Sequence, residues 1–203
     1  MKRAILLAVL FTAFHTIHAQ PLNNNLANSV QRNDGDTLSV QSVMTPQMLA
    51  EIMNVVGLQQ TFELKEAKVM NIEASVSHGK RYISYNPGFI SWITKATGSR
   101  WAAIALLAHE VGHHLNGHTL KRGGSKPELE LEADEFAGFV LHKMGASLEQ
   151  AQKVMNYIAK PEMSSTHPGR ASRMLAIQNG WDRAESSATA AISKDKSSQG
   201  ATP

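Results

Sequence analysis

The chain has 203 residues, 42% of them hydrophobic and 18% charged, with no cysteine and a formal net charge of +3. Such a balance suits one domain of ordinary size with a hydrophobic core. It excludes a disulfide-stapled scaffold and gives no support to a basic nucleic-acid footprint, so stability has to come from packing and from any metal the chain holds.

In chain order, Met1-Lys2-Arg3 leads into the apolar run Ala4–Phe14 and the polar His15–Ala19, the three-part order of a secretory signal with cleavage expected after Ala19. The apolar run is too short to span a bilayer comfortably, and an uncleaved anchor is the alternative. Removal of residues 1–19 takes away Lys2 and Arg3 and no acid, so the charge falls from +3 to +1. An exported chain, periplasmic or secreted, is expected, with no membrane span once matured. Residues 20–40, rich in Asn, Gln and Asp, read as a flexible leader.

Residues 41–182 read as the folded domain. Thr45 as N-cap and Pro46 at the first helical position open a helix to about Val56. Phe62–Lys65, Ile72–Val76 and Arg81–Tyr85 read as short strands, the last two joined as a hairpin around His78–Lys80. A small antiparallel sheet is expected, with Asn71–Val76 or Arg81–Tyr85 as an edge to which an extended peptide adds as a strand. Pro87–Ala96 reads as a short helix and Gly98 as its separator from the next.

Trp101–Ala108 is apolar on every side and leads into His109-Glu110-Val111-Gly112-His113. At about 100° per residue, two histidines four apart fall on one helix face about 40° from each other, and Glu110 sits beside them. A hydrolytic zinc site needs that division of labour: imidazole ligands, an open position for water, and a carboxylate to take the water's proton. Gly112 fits a place where another element comes close. His114 and His118 point about 140° to 180° away from His109 and read as structural or exposed.

A third ligand is expected from a second helix, Pro127–Lys143. On it, Glu130 and Asp134 lie within the apolar arc that also holds Leu129, Ala133, Phe136, Ala137, Val140 and Leu141, whereas Glu128, Glu132 and Glu135 lie outside. Carboxylates on an apolar face are costly unless they are paired or bind metal. Glu130 reads as the ligand, and Asp134, one turn on, as the acceptor for the outer nitrogen of a ligand histidine. Lys121–Lys126 reads as a mobile basic connection, Ser147-Leu-Glu-Gln150 as a capping box, and a last helix follows Pro168 carrying Arg173, Met174 and Ile177. Residues 183–203 lack apolar periodicity and read as a disordered tail. The fold class expected is α+β, mainly α.

His-Glu-Val-Gly-His-His-Leu-Asn-Gly-His (109 to 118), Glu-Leu-Glu-Ala-Asp (130 to 134) and Ser165-Thr-His-Pro168 with Arg173, in that order, resemble the zinc metallopeptidases typified by the HtpX heat-shock protease and the CAAX prenyl proteases. The resemblance covers about residues 40–180. It implies a zincin-like minidomain of the gluzincin type, one zinc ion held by His109, His113 and Glu130, and Glu110 as base. It further implies that His167 approaches the metal, to polarise the substrate carbonyl or to fill the open position at rest, and that Arg173 belongs to the catalytic set. Membrane spans and helical-repeat additions of those relatives have no counterpart here, so a membrane-embedded or prenylated substrate is not implied. The reading is a zinc endopeptidase of the cell envelope acting on proteins or peptides, with protein quality control as its expected setting; the other class is a non-catalytic zinc-binding chaperone or adaptor, against which stands Glu110.

Overall fold

The computed structural model describes residues 5–6, 44, 46–121 and 124–199, with side chains to Thr189 in the last helix. The expected signal, the leader and the Thr45 cap therefore lie outside the described residues, apart from Ile5–Leu6. The order of elements is β1 (Ile5–Leu6), α1 (Pro46–Val56), β2 (Glu63–Glu66), β3 (Ile72–Ser77), β4 (Lys80–Tyr85), α2 (Pro87–Thr97) and α3 (Arg100–Leu115). A 3-10 turn (His118–Leu120) follows, then α4 (Pro127–Lys143), α5 (Leu148–Gln152), α6 (Met155–Ile158) and α7 (Arg170–Gln199). The chain is α+β and mainly helical, as expected.

The strands form one sheet in the order β1-β3-β4-β2. β3 and β4 are the antiparallel hairpin that alternation predicts, with Ala74 opposite Ile83. β2, however, runs parallel to β4, so the sheet is mixed rather than antiparallel. The chain leaves β2 beside Tyr85, passes over the end of β4 and enters β3, again beside Tyr85. Ala67 N–H to the Tyr85 carbonyl (2.9 Å) and Asn86 N–H to the Asn71 carbonyl (2.7 Å) fix that crossing. Alternation marks which residues are strand and is silent about which neighbour a strand takes. Arg81–Tyr85 is consequently central and not an edge; β3 is flanked by β4 on one side and on the other by the two-residue β1, which pairs antiparallel with Ser75 and Val76.

α3 is buried without a break from Ala102 to His114, as a helix apolar on all faces should be. It is capped by the Ser99 hydroxyl, which accepts from the Trp101 N–H at 3.2 Å. α4 closes on it where Gly112 lies: a Cβ there would stand 3.0 Å from Phe136 Cδ1 and 3.3 Å from Ala133 Cα. α4 and α7 touch backbone to backbone. A Cβ on Gly138 would sit 2.0 Å from the Ile177 carbonyl oxygen, and one on Gly180 1.8 Å from that of Glu135. Gly138→Ala therefore forces the two helices apart and is expected to cost about 1–3 kcal/mol, read as a lower urea midpoint; an unchanged midpoint would show the contact to be yielding.

α7 continues to Gln199, so the disordered tail expected over residues 183–203 is helical through most of its length. Ala184 is buried, and Glu185, Ser186 and Ser187 after it are exposed. Trp181–Gln199 contains no glycine or proline and carries Ala184, Ala188, Ala190 and Ala191, so propensity sustains a helix where no amphipathic pattern announces one. Among the described residues no helix is long and apolar enough to cross a membrane.

Candidate metal centre

α3 and α4 bring His109, His113 and Glu130 together at full burial. His109 Nε2 lies 3.1 Å from His113 Nε2 and 3.4 Å from Glu130 Oε2, and His113 Nε2 lies 3.6 Å from Glu130 Oε1. Zinc bonds of about 2.0–2.1 Å at tetrahedral angles place ligand atoms about 3.3–3.4 Å apart, and each of these separations is near that value, the two histidines approaching different oxygens of Glu130. Glu130 Oε2 is buried with no hydrogen-bond donor of its own. The donor set of two imidazoles and one carboxylate is the zinc type.

Each of the three side chains is held from behind. His109 Nδ1 is 2.9 Å from Asp134 Oδ1, and the same carboxylate accepts two hydrogen bonds of 2.7 Å from Arg173 Nε and Nη2 on α7. The Ser125 hydroxyl donates to Glu130 Oε1 and lies 3.1 Å from the Thr166 carbonyl, tying the loop before α4 to the segment that carries His167. His113 Nδ1 is 3.0 Å from His118 Nδ1, and His118 Nε2 is 2.8 Å from Glu132 Oε2.

His118 thus touches the site, contrary to its helical-wheel position. α3 ends at Leu115, and Gly117 takes φ 69°, a left-handed turn that swings the 3-10 segment back beneath His113. His118 is wholly buried, and Glu132, which the arc on α4 left out, reaches it from a side chain 54% exposed. The glycine after Asn116 was the available signal: a wheel drawn past it no longer holds. His114 is the structural residue expected, buried with Nε2 3.0 Å from the Tyr82 carbonyl and stacked on Phe62 at 4.9 Å, although it is not exposed. His118→Ala is expected to weaken zinc binding about 10–100-fold in chelator competition, and Glu132→Gln, on an exposed position, to weaken it in the same direction. Wild-type affinity in both would remove this pair from the support of His113.

Glu110, lining the same small cavity as His109, reaches β3, its Oε2 accepting the Ala74 N–H at 2.7 Å. Burial pushes its carboxyl up to about 8. Burial alone would lower His109, but the Asp134 and Glu130 carboxylates outweigh it and raise that imidazole to about 10. The same burial opposes ionisation of Glu130 and Asp134, yet His109 beside the first and Arg173 beside the second hold both below the usual carboxylate range. His113 is pushed down to about 3 by burial and by His109, so its ring is neutral and free of a competing proton. Protein chemistry here is arranged to hold a cation among buried carboxylates.

His167 is half-buried in a turn closed by its N–H to the Ser164 hydroxyl (2.9 Å), with Nδ1 2.8 Å from Thr166 Oγ1. Burial lowers its pKa while the Glu130 carboxylate opposes that shift, which places the ring within electrostatic reach of the centre. Arg173 lines a small cavity together with His109 and Glu110. Residues 124–180 match the model described as peptidase family M48. That span contains Glu130, Asp134, His167 and Arg173 and begins after the helix bearing His109, Glu110 and His113. No curated protein and no solved structure matches the chain.

Proposed function

We propose that this chain is a zinc-dependent endopeptidase of the cell envelope, serving protein quality control; the match of residues 124–180 to the peptidase family M48 model supports the reading. The observation that carries the reading is the buried convergence of His109, His113 and Glu130, with Glu110 on the helix that bears the two histidines. When bound there, zinc supplies Lewis acidity that polarises a peptide carbonyl and lowers the pKa of water toward neutrality.

The chain's own residues do the rest. Glu110, buried and tethered to the β3 backbone, takes the proton of the attacking water and returns it to the leaving amine. A raised proton affinity suits a carboxylate that must hold the proton between those two transfers. Asp134, clamped by Arg173, orients His109 and fixes which ring nitrogen faces the metal; His118 and Glu132 do the same for His113. His167, on its tied-down turn, is the residue we assign to the substrate carbonyl. Arg173 acts through Asp134 and the field it adds beside Glu110.

With residues 1–19 removed, an extended substrate pairs with the side of β3 that Ile5–Leu6 otherwise takes, next to the Ala74 N–H that meets Glu110. The antiparallel pairing of that side with Ile5–Leu6 supports its capacity to take a strand. Export rests on the amino-terminal pattern of residues 1–19.

Chelator-stripped protein is expected to lose hydrolysis of an unfolded protein substrate and to regain it with about one equivalent of zinc. Zinc at about a hundred times its dissociation constant adds about 2.7 kcal/mol, or roughly 5–10 °C in Tm for a chain of this size. Activity that survives chelation, with an unmoved Tm, would overturn the reading.

A further inference from the structure

Beside the metal centre lies a cavity of about 750 Å³ whose walls include Met70, Phe89, Trp92, Tyr157, Ile158 and Pro161. Phe89 and Trp92, on α2, form one wall with ring centroids 5.8 Å apart. The Asn86 side chain fixes it: Oδ1 accepts from the Gly88 and Phe89 N–H groups at 2.9 and 3.3 Å, and Nδ2 donates to the Val69 carbonyl at 3.0 Å. The facing wall is the segment after α6. Arg170 pins it, donating from Nε and Nη2 to the Ala159 carbonyl at 3.0 and 2.9 Å and from its backbone N–H to the Lys160 carbonyl at 2.8 Å. Both walls are therefore set before anything binds.

Large apolar side chains at this cavity are nonetheless uncovered, with Met70 54%, Trp92 50% and Tyr157 44% exposed. A concave space lined largely by apolar and aromatic side chains is where an apolar group docks. Its position says what. Asn71, Phe89 and Ile158 line both this cavity and the small one that holds His109, Glu110 and Arg173, so the two spaces share walls.

We propose that this cavity receives a large aromatic or aliphatic side chain of the polypeptide substrate, adjacent to the bond cut at the metal. The proposal rests on the peptidase reading and adds the class of residue recognised. A preformed apolar space of this volume takes a side chain as large as tryptophan. Folded proteins bury such side chains and unfolded chains present them, so the cavity selects unfolded polypeptide.

The test uses zinc-loaded protein carrying Glu110→Gln and labelled peptides that are identical except for Phe, Leu or Ser at one position, with binding read by fluorescence anisotropy. The Phe and Leu peptides are expected to bind at least about ten-fold tighter than the Ser peptide, and Trp92→Glu to erase that difference. In parallel, the active zinc protein digests an unfolded protein and the cut sites are mapped by mass spectrometry. Phe, Leu, Met or Trp should be enriched at one fixed position beside the bond, and Trp92→Glu should flatten the enrichment. Equal binding of all three peptides, or a preference that Trp92→Glu leaves intact, overturns the proposal. So does a dimer in solution that Trp92→Glu separates into monomers, since a second copy then covers the cavity. Selective binding without hydrolysis by the unsubstituted protein upholds the cavity and overturns the peptidase reading instead.

Discussion

Glu110→Gln is expected to keep about one zinc per chain and to lose hydrolysis by about 10²–10⁴-fold, equivalent to about 3–5 kcal/mol in the barrier. Glutamine preserves the shape and can still accept the Ala74 N–H through its carbonyl oxygen, so the helix and the three ligands stay where they are. What it cannot do is take a proton from water. Removal of a buried carboxylate also relieves the site of one acid whose ionisation burial already opposes, so the variant should fold at least as stably as the parent. Metal content by mass spectrometry, unfolding midpoint and turnover on an unfolded protein separate the chemical loss from a folding defect. A zinc-bound parent that is inert on a broad panel of substrates would favour the chaperone or adaptor class, for which Glu110 has no task.

Arg173→Ala should be the most destabilising single change at the site. It strips the partner from an Asp134 carboxylate that is buried without exposure and leaves only His109 to balance it. Breaking a buried ion pair from one side costs about 3–5 kcal/mol, or roughly 6–20 °C in Tm at this chain length. The folded-state pKa of Asp134 lies below its ordinary 3.8, so the pair contributes fully above about pH 4 and is lost as the pH falls further. The deficit of the variant should accordingly be constant from neutral pH to about pH 5. Arg173→Met combined with Asp134→Leu is the discriminating companion. It should recover much of the stability, because an apolar pair replaces the ionic one, yet bind zinc about 10–100-fold more weakly because His109 loses its support. Recovery of both properties would mean that the pair serves the fold and not the metal.

The site was legible in the sequence wherever a helix runs uninterrupted. On α4, a wheel separates Glu130 and Asp134 from Glu128 and Glu132, and burial divides them in the same way. On α3, the four-residue spacing of His109 and His113 gives the facing rings directly. The same wheel misplaced His118 because Gly117 reverses the chain before it, and Glu132 was missed with it because its partner was. Strand positions followed from alternation, but the parallel pairing of β2 with β4 depends on contacts formed only when Ala67–Asn71 crosses the end of the hairpin. The helix beyond Ala184 failed for a further reason: from Glu185 to Thr189 it buries no residue, and the sequence there has no hydrophobic period to mark it. The aromatic cavity was equally invisible, since α2 and the segment after α6 are joined there by the fold and not by sequence.

The central claim is that one metal ion sits between α3 and α4. Diffraction data collected on either side of the zinc absorption edge, from crystals of the zinc-loaded protein, test it most directly. A single strong anomalous peak is expected about 2.0–2.2 Å from His109 Nε2, His113 Nε2 and a Glu130 oxygen, with Glu110 outside bonding distance. A peak at His114 or His118, a peak bonded to Glu110 in place of Glu130, or no peak at this site would contradict it.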